Sequence, residues 1–152
     1  MLYFISAVAM IVLDRISKIL AVKYLEPVGE IPLMEGVFHL TYTENTGAAF
    51  SIFTGKSGLL AVLSVVVIIL LIFFLRQQSK TNAQNRLYLF SIAMIIGGAA
   101  GNLIDRAFLG YVIDYFDFTL INFAIFNVAD CFITVGAVLF CGCLLFDRKI
   151  KL

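Results

Sequence analysis

The chain has one histidine, no tryptophan and three cysteines, and only 14% of its residues are charged. A lone His39 leaves His-rich zinc sites and a Ser–His dyad little to work with, and it reads as packing or facing water. Cys131, Cys141 and Cys143 all fall in one apolar stretch. An odd number there builds no disulfide framework, so they read as small core or lipid-facing residues. The 11 basic residues nearly balance 10 acidic ones for a net charge of +1. With no basic stripe interleaved with aromatics, a nucleic-acid partner is excluded. The chain also lacks internal repeats, low-complexity tracts and the length for a second domain.

What it has in abundance is apolar surface. Hydrophobic residues make up 62% of the sequence and the mean hydropathy is +1.03, against ~45–50% apolar residues in soluble domains. Four stretches, at 2–24, 59–75, 87–108 and 123–146, approach the roughly 20 residues that span a bilayer. The expected fold is therefore an all-α membrane protein with four transmembrane helices. Residues 1–152 form a single integral membrane domain, with outer segments 25–58 and 107–122. The first stretch does not read as a cleaved signal peptide, because no Lys or Arg precedes Asp14, and Asp14, Arg15 and Lys18 interrupt it. Arg76, Lys80 and Arg86 between the middle spans, and Arg148, Lys149 and Lys151 in the tail, put both termini on the cytoplasmic side.

That orientation gathers the polar residues. At about 1.5 Å per residue, Asp14 sits about 15 Å short of the outer end of its helix at Tyr24. Asn102 and Asp105 fall in the last two turns of the third span. Asn127 and Asp130 open the fourth, and Asp114 lies in the outer loop between them. All converge on the outer half of the membrane. In the 25–58 segment, the alternation across 37–43 predicts a half-buried strand, with Gly36 before it and Asn45-Thr46-Gly47 ending it in a turn. A small outer sheet over the helix ends follows. The aromatic run 115–126 suits an interfacial belt.

Asp114 and Asp130 are the candidate catalytic pair. Two carboxylates sharing a site cannot both ionise cheaply, so the pair holds one proton. The ionised member takes a proton from water while the protonated member polarises a carbonyl, with no metal or cofactor needed. The plainer reading is a solvated loop residue at Asp114 and a helix-N-terminal charge at Asp130. Gly97 and Gly101 form a small-xxx-small face for close helix packing. Asn102 and Asp105 share one helix side, as site support or as polar glue, with Arg106 or Arg15 as partners for Asp105. Asp14 and Lys18, four apart with the acid first, suit a structural ion pair. Ser17 and Lys18 point to different helix faces, which suits a Ser–Lys pair poorly. Asn45 and Gly47 fit either a turn or a close approach of substrate backbone. A transporter or channel subunit is the alternative class, since intramembrane charges also serve ion pathways. It would need polar residues along a continuous path, whereas the second span and the inner half of the fourth are apolar.

Five blocks in order, Asp14-Arg15-Ile16-Ser17-Lys18, Asn45-Thr46-Gly47-Ala48-Ala49-Phe50, Gly101-Asn102-Leu103-Ile104-Asp105-Arg106, Val112-Ile113-Asp114-Tyr115 and Phe126-Asn127-Val128-Ala129-Asp130, resemble the lipoprotein signal peptidase (signal peptidase II) family across essentially the whole chain. The resemblance implies an aspartic endopeptidase of the bacterial plasma membrane, with its active site at the outer face. Its substrate would be a prolipoprotein whose Cys carries diacylglycerol, cut just before that Cys. It implies Asp114 and Asp130 as the catalytic pair. Asp14, Asn45, Asn102, Asp105, Arg106 and Asn127 would be supporting or substrate-contacting, and Lys18 and Gly47 are counted with them. It further implies an outer β-cradle and inhibition by globomycin. The remaining expectations are contact with membrane lipid, no cofactor, and action as a monomer.

Overall fold

The structure, a computed structural model, describes residues 2–47, 52–147 and 150. Ala48, Ala49 and Phe50 of the second block, and Arg148, Lys149 and Lys151 of the tail, lie outside the described residues. In chain order the elements are α1 (Leu2–Leu20), continued by a π-helical turn (Ala21–Leu25), β1 (Glu30–Met34) and β2 (Phe38–Asn45). Then come α2 (Ser57–Thr81), α3 (Arg86–Phe108), β3 (Val112–Asp117), a 3-10 turn (Thr119–Ile121) and α4 (Val128–Phe146). Among the described residues, α2, α3 and α4 are long and apolar enough to cross a membrane. Helix α1 has the same 19-residue length as α4 but carries Asp14, Arg15 and Lys18.

Helix α3 is the hub, with α1, α2 and α4 packed around it. Its small residues permit this. A Cβ on Gly97 would meet the Cβ of Met10 at 2.9 Å, and one on Gly101 would meet Asp14 Oδ2 at 2.6 Å. The predicted 97/101 face therefore receives α1. Gly98 receives α4, since a side chain there would run into the Ala129 carbonyl and Ile133. Gly136 of α4 reciprocates against the Ser91 carbonyl at 2.9 Å. Backbone-to-backbone approach of this kind replaces the hydrophobic drive that lipid surroundings remove. A core of Ala7, Leu75, Tyr88, Leu89, Ile92 and Ile96 fills the end of the bundle away from the sheet. Helix α2 touches mainly α3 and leaves most of its apolar side chains exposed.

The sheet is antiparallel in the order β1-β2-β3. Pro32 is tolerated because β1 is an edge strand. Gly36, at φ +69°, makes the turn into β2. Leu40 and Tyr42 of β2 pack with Ile113 and Tyr115 of β3 onto Ala21 and Leu25, which seats the sheet on the end of α1.

Three elements depart from the sequence expectation. Asp114 is in a strand rather than a loop, opposite Thr43. The β-branched and aromatic neighbours Val112, Ile113, Tyr115 and Phe116 outweigh the poor strand preference of Asp. The fourth helix begins at Val128, five residues after its apolar stretch does. Phe126 accepts from the N–H groups of Tyr115 (3.0 Å) and Phe116 (2.8 Å) and donates to the Phe116 carbonyl (3.1 Å). Its backbone is committed to the sheet, and Asn127 then caps the helix. Helix α2, in turn, runs on to Thr81, past the apolar run, with the Arg76 guanidinium 5.7 Å above the Phe4 ring.

Candidate active site

The first turn of α4 is held from two directions. Asn127 and Asp130 form a capping box, in which the Asp130 N–H donates to Asn127 Oδ1 (3.0 Å) and the Asn127 N–H to Asp130 Oδ2 (3.2 Å). The Ala129 N–H donates to Asp14 Oδ1 at 3.0 Å, so a carboxylate on α1 also serves the N-terminus of α4. Tyr115 adds a tie, donating to Ser17 Oγ (2.7 Å) and accepting from the Val128 N–H (3.4 Å). Burial pushes its phenol up to about 12, so it stays a donor. Sequence reading missed Tyr115 and Ser17 in this role. Only the strand register, which turns Tyr115 toward α1, exposes it.

From this anchor a chain of amides joins the two aspartates. Asn102 Nδ2 donates to Asp130 Oδ1 at 2.7 Å. Asn127 Nδ2 donates to Asp114 Oδ1 at 2.6 Å and to Asn102 Oδ1 at 3.1 Å. Asn45 Nδ2 donates to Asp114 Oδ2 at 3.0 Å, while Asn45 Oδ1 accepts from the Gly47 N–H at 2.9 Å. Asn45 thus makes the predicted turn and holds Asp114 at once. Asp114 is 2% exposed. Burial raises its carboxyl to about 6, against the lowering effect of the Asn45 hydrogen bond, and the charge of Asp130 adds to the rise.

Beneath this chain lies a buried charge cluster. Lys18 Nζ reaches Asp105 Oδ2 (2.8 Å), Asp14 Oδ2 (3.1 Å) and Asn102 Oδ1 (2.8 Å). Arg15 meets Asp105 Oδ1 at 2.7 Å and Asp14 Oδ2 at 3.2 Å. Of the two partners open to Asp105, the ion pair is with Arg15. Asp105 Oδ2 also accepts from the Ile113 N–H at 3.3 Å, which ties β3 to α3. Two acids and two bases cancel, as burial at this depth requires. Arg106 instead turns to the Gly47 carbonyl (3.0 Å).

Asp114 and Asp130 line one cavity of about 480 Å³ with Asn45, Asn102 and Arg106; its other walls include Phe123, Ile125, Phe126, Cys131, Ile133 and Val135. Of the ten residues singled out from the sequence, these five polar ones face the cavity. Asp14, Lys18, Asp105 and Asn127 stand behind it, and Gly47 meets Arg106. The 123–126 segment, read from sequence as part of a span and an aromatic belt, is a wall of the cavity. His39 lies on the sheet away from the aspartates and pairs with Glu30.

An apolar cavity with two carboxylates, an arginine and amide donors suits peptide hydrolysis beside a lipid phase. The family model described as signal peptidase (SPase) II matches residues 6–146. The chain belongs to the signal peptidase II family. It is 47% identical over 139 residues to a lipoprotein signal peptidase of Caldanaerobacter subterraneus subsp. tengcongensis, covering 91% of this chain and 92% of that one. It is 41% identical to the lipoprotein signal peptidase of Clostridioides difficile, over 96% of each chain. The fold is similar to that of a bacterial membrane enzyme solved by the in meso method at 2.3 Å resolution, with a TM-score of 0.83 and 28% identity over 99% of this chain and 91% of that one. Signal peptidase II enzymes are aspartic proteases, and this chain is an enzyme of that kind in a bacterial membrane.

Proposed function

We propose that the protein removes the signal peptide from prolipoproteins whose Cys carries diacylglycerol, cutting just before that Cys, and that Asp114 and Asp130 are its catalytic pair. The observation that carries this reading is the shared cavity, with both carboxylates facing it and each held by amide donors. One proton is held between them. The ionised carboxylate takes a proton from water as its oxygen attacks the scissile carbonyl carbon, and the protonated one donates to the carbonyl oxygen. Collapse of the tetrahedral intermediate breaks the C–N bond: the departing Cys amine takes up the proton drawn from water, and the hydroxyl that becomes the carbonyl returns its proton to the other carboxylate, restoring the pair. Asn45, Asn102, Arg106 and Asn127 hold the carboxylates and the peptide, and Asp14, Lys18 and Asp105 fix the helices that carry them. The acyl chains position the bond by anchoring the substrate in the bilayer.

In this reading all four helices span the bacterial plasma membrane, both termini are cytoplasmic, and the sheet faces outward. Helix α1 supports it by its burial pattern. Asp14 and Lys18 are buried against α3, while Ile5, Val8, Val12, Leu13, Ile16 and Ile19 are exposed as a lipid-compatible face. The protein acts as a monomer, in contact with lipid, and a globomycin-type inhibitor competes for the same cavity.

The test mixes purified protein in detergent with a diacylglyceryl prolipoprotein and, separately, its unlipidated form, and locates the cut by mass spectrometry. Cleavage of the lipidated form before Cys, reduced at least ~10³-fold in Asp114→Asn and in Asp130→Asn, is expected for loss of an acid–base group that acts as one unit with its partner. Substantial cutting by either folded variant would sink the dyad.

A further inference from the structure

Each aspartate of the pair accepts two hydrogen bonds, but the donors are not equivalent. Asp130 lies in the first turn of α4, where its Oδ2 takes the Asn127 N–H (3.2 Å) and its Oδ1 takes Asn102 Nδ2 (2.7 Å). Behind that second amide stands a cation, since Asn102 Oδ1 accepts from Lys18 Nζ at 2.8 Å. Asp114 takes Asn127 Nδ2 (2.6 Å) and Asn45 Nδ2 (3.0 Å). The carbonyl oxygens of those two amides accept from neutral backbone N–H groups, of Asp130 and Gly47. We propose that Asp130 is the ionised member of the pair and Asp114 the protonated one, and that Lys18, acting through Asn102, is the positioning residue that sets this division.

The inference rests on the reading of Asp114 and Asp130 as the peptidase pair. A carboxylate hydrogen-bonded in its charged form at the positive end of a helix keeps its charge more readily than one held by neutral amides. An ammonium bonded to an amide oxygen polarises that amide and strengthens its N–H as a donor. Lys18 is buried, so water screens this link little. The other charged groups do not reverse the order. Arg106 lines the cavity with both carboxylates, Asp14 is paired with Lys18 and Arg15, and the adjoining Cys131 is a free thiol. Burial raises the Asp114 carboxyl to about 6, which agrees with its keeping the proton at lower pH. In the reaction Asp130 takes the proton of the attacking water and passes it to the leaving amine. Asp114 protonates the carbonyl oxygen and recovers that proton as the intermediate collapses. While Asp114 is without it, the Asn45 and Asn127 amides hold its charge.

Loss of cleavage in both Asp114→Asn and Asp130→Asn tests the peptidase pair by itself. The division is then read from infrared spectra of the parent and both variants in an ester-free detergent at about pH 5, below the raised value of Asp114. The carbonyl stretch of a protonated carboxyl should vanish in Asp114→Asn and persist in Asp130→Asn. Its persistence in Asp114→Asn would overturn the assignment. The role of Lys18 is read from the pH dependence of kcat/KM on a diacylglyceryl substrate, whose acid limb reports the base of the free enzyme. Lys18→Gln keeps a donor for Asn102 and removes the charge. Its acid limb should move up by about one pH unit, a roughly tenfold loss at low pH, the lower end for a nearby opposite charge. A lysine that serves the fold alone would lower the rate equally at every pH, and an unmoved limb would overturn its role. If Lys18→Gln does not fold, Asn102→Ala severs the same link with the ion pairs of Lys18 left in place, and its acid limb decides in the same way.

Discussion

Replacing Asp114 by Asn should change the stability of the protein by an amount that depends on pH in a direction set by the burial of that side chain. The folded-state carboxyl sits at about 6 against an ordinary 3.8. An acid whose folded value is raised stabilises the fold fully below the unfolded value, and loses that contribution as pH rises through the folded one. The difference of about two pH units corresponds to about 3 kcal/mol, at roughly 1.4 kcal/mol per unit. Above pH 6 the parent protein therefore keeps an ionised, 2%-exposed carboxylate that is costly to bury. Asp114→Asn removes that cost. It also sets an amide against the two donors that Asp114 accepts from, Asn45 Nδ2 and Asn127 Nδ2, so that one of them loses its acceptor at roughly 1–3 kcal/mol. The second effect is the same at every pH and the first is not. Measured by thermal unfolding in detergent, the variant should be less stable than its parent at pH 4. It should gain on it by about 3 kcal/mol between pH 4 and pH 8, or roughly 6–12 °C in Tm on the scaling for a chain of this size. A Tm difference that stays constant from pH 4 to 8 would refute the reasoning.

Lys18→Met should destabilise the protein by about 3–5 kcal/mol in the same assay, because it leaves Asp14 and Asp105 with Arg15 as their remaining cation in a buried cluster. Gly98→Ala should cost at least ~1–3 kcal/mol, since its Cβ would meet the Ala129 carbonyl and Ile133. Gly142→Ala, in α4 with nothing within 4 Å of an added Cβ, should be neutral or stabilising by up to ~1 kcal/mol. Thermal unfolding of the two alanine variants side by side separates close helix approach from glycine flexibility.

The helices were legible because their signal is long and one-dimensional: apolar runs, with few polar interruptions, mark the elements without reference to anything distant. The small-residue face on α3 was legible for the same reason, since Gly97 and Gly101 fall on one side by helix geometry alone. Strand β2 showed in its alternation. Strand β3 did not, because a buried Asp interrupts its apolar pattern, and only pairing with β2 makes Asp114 a strand residue. The start of α4 was misplaced by five residues because apolar character continues through Phe123 and Phe126, whereas their backbone bonds go to the sheet. The cavity was legible as a cluster of polar types near one end of the helices, but its apolar walls and the Tyr115–Ser17 tie were not. Those depend on register, which the local sequence does not specify.

Asp130 and Asn45 were each open to a structural role or a chemical one, and the hydrogen bonds each makes are compatible with both at once. Asp130 gives Oδ2 to the Asn127 N–H in the capping box and Oδ1 to Asn102. Fixing a carboxylate by a helix cap is a means of preorganising it. Asn127 carries both functions in separable form: its Oδ1 caps α4, and its Nδ2 reaches Asp114 and Asn102. Serine caps a helix about as well as asparagine but lacks the reach and the amide donors. Asn127→Ser should therefore keep the helix N-terminus, whereas Asn127→Ala should forfeit roughly 0.5–2 kcal/mol of stability. Both variants withdraw the 2.6 Å donor from Asp114, so both should lose kcat by about tenfold or more, the scale of one charge-assisted hydrogen bond. Measured together, unfolding and turnover would then separate: Ala impaired in both, Ser in turnover alone. Full turnover in Asn127→Ser would mean that the amide chain between the aspartates is packing rather than part of the reacting site.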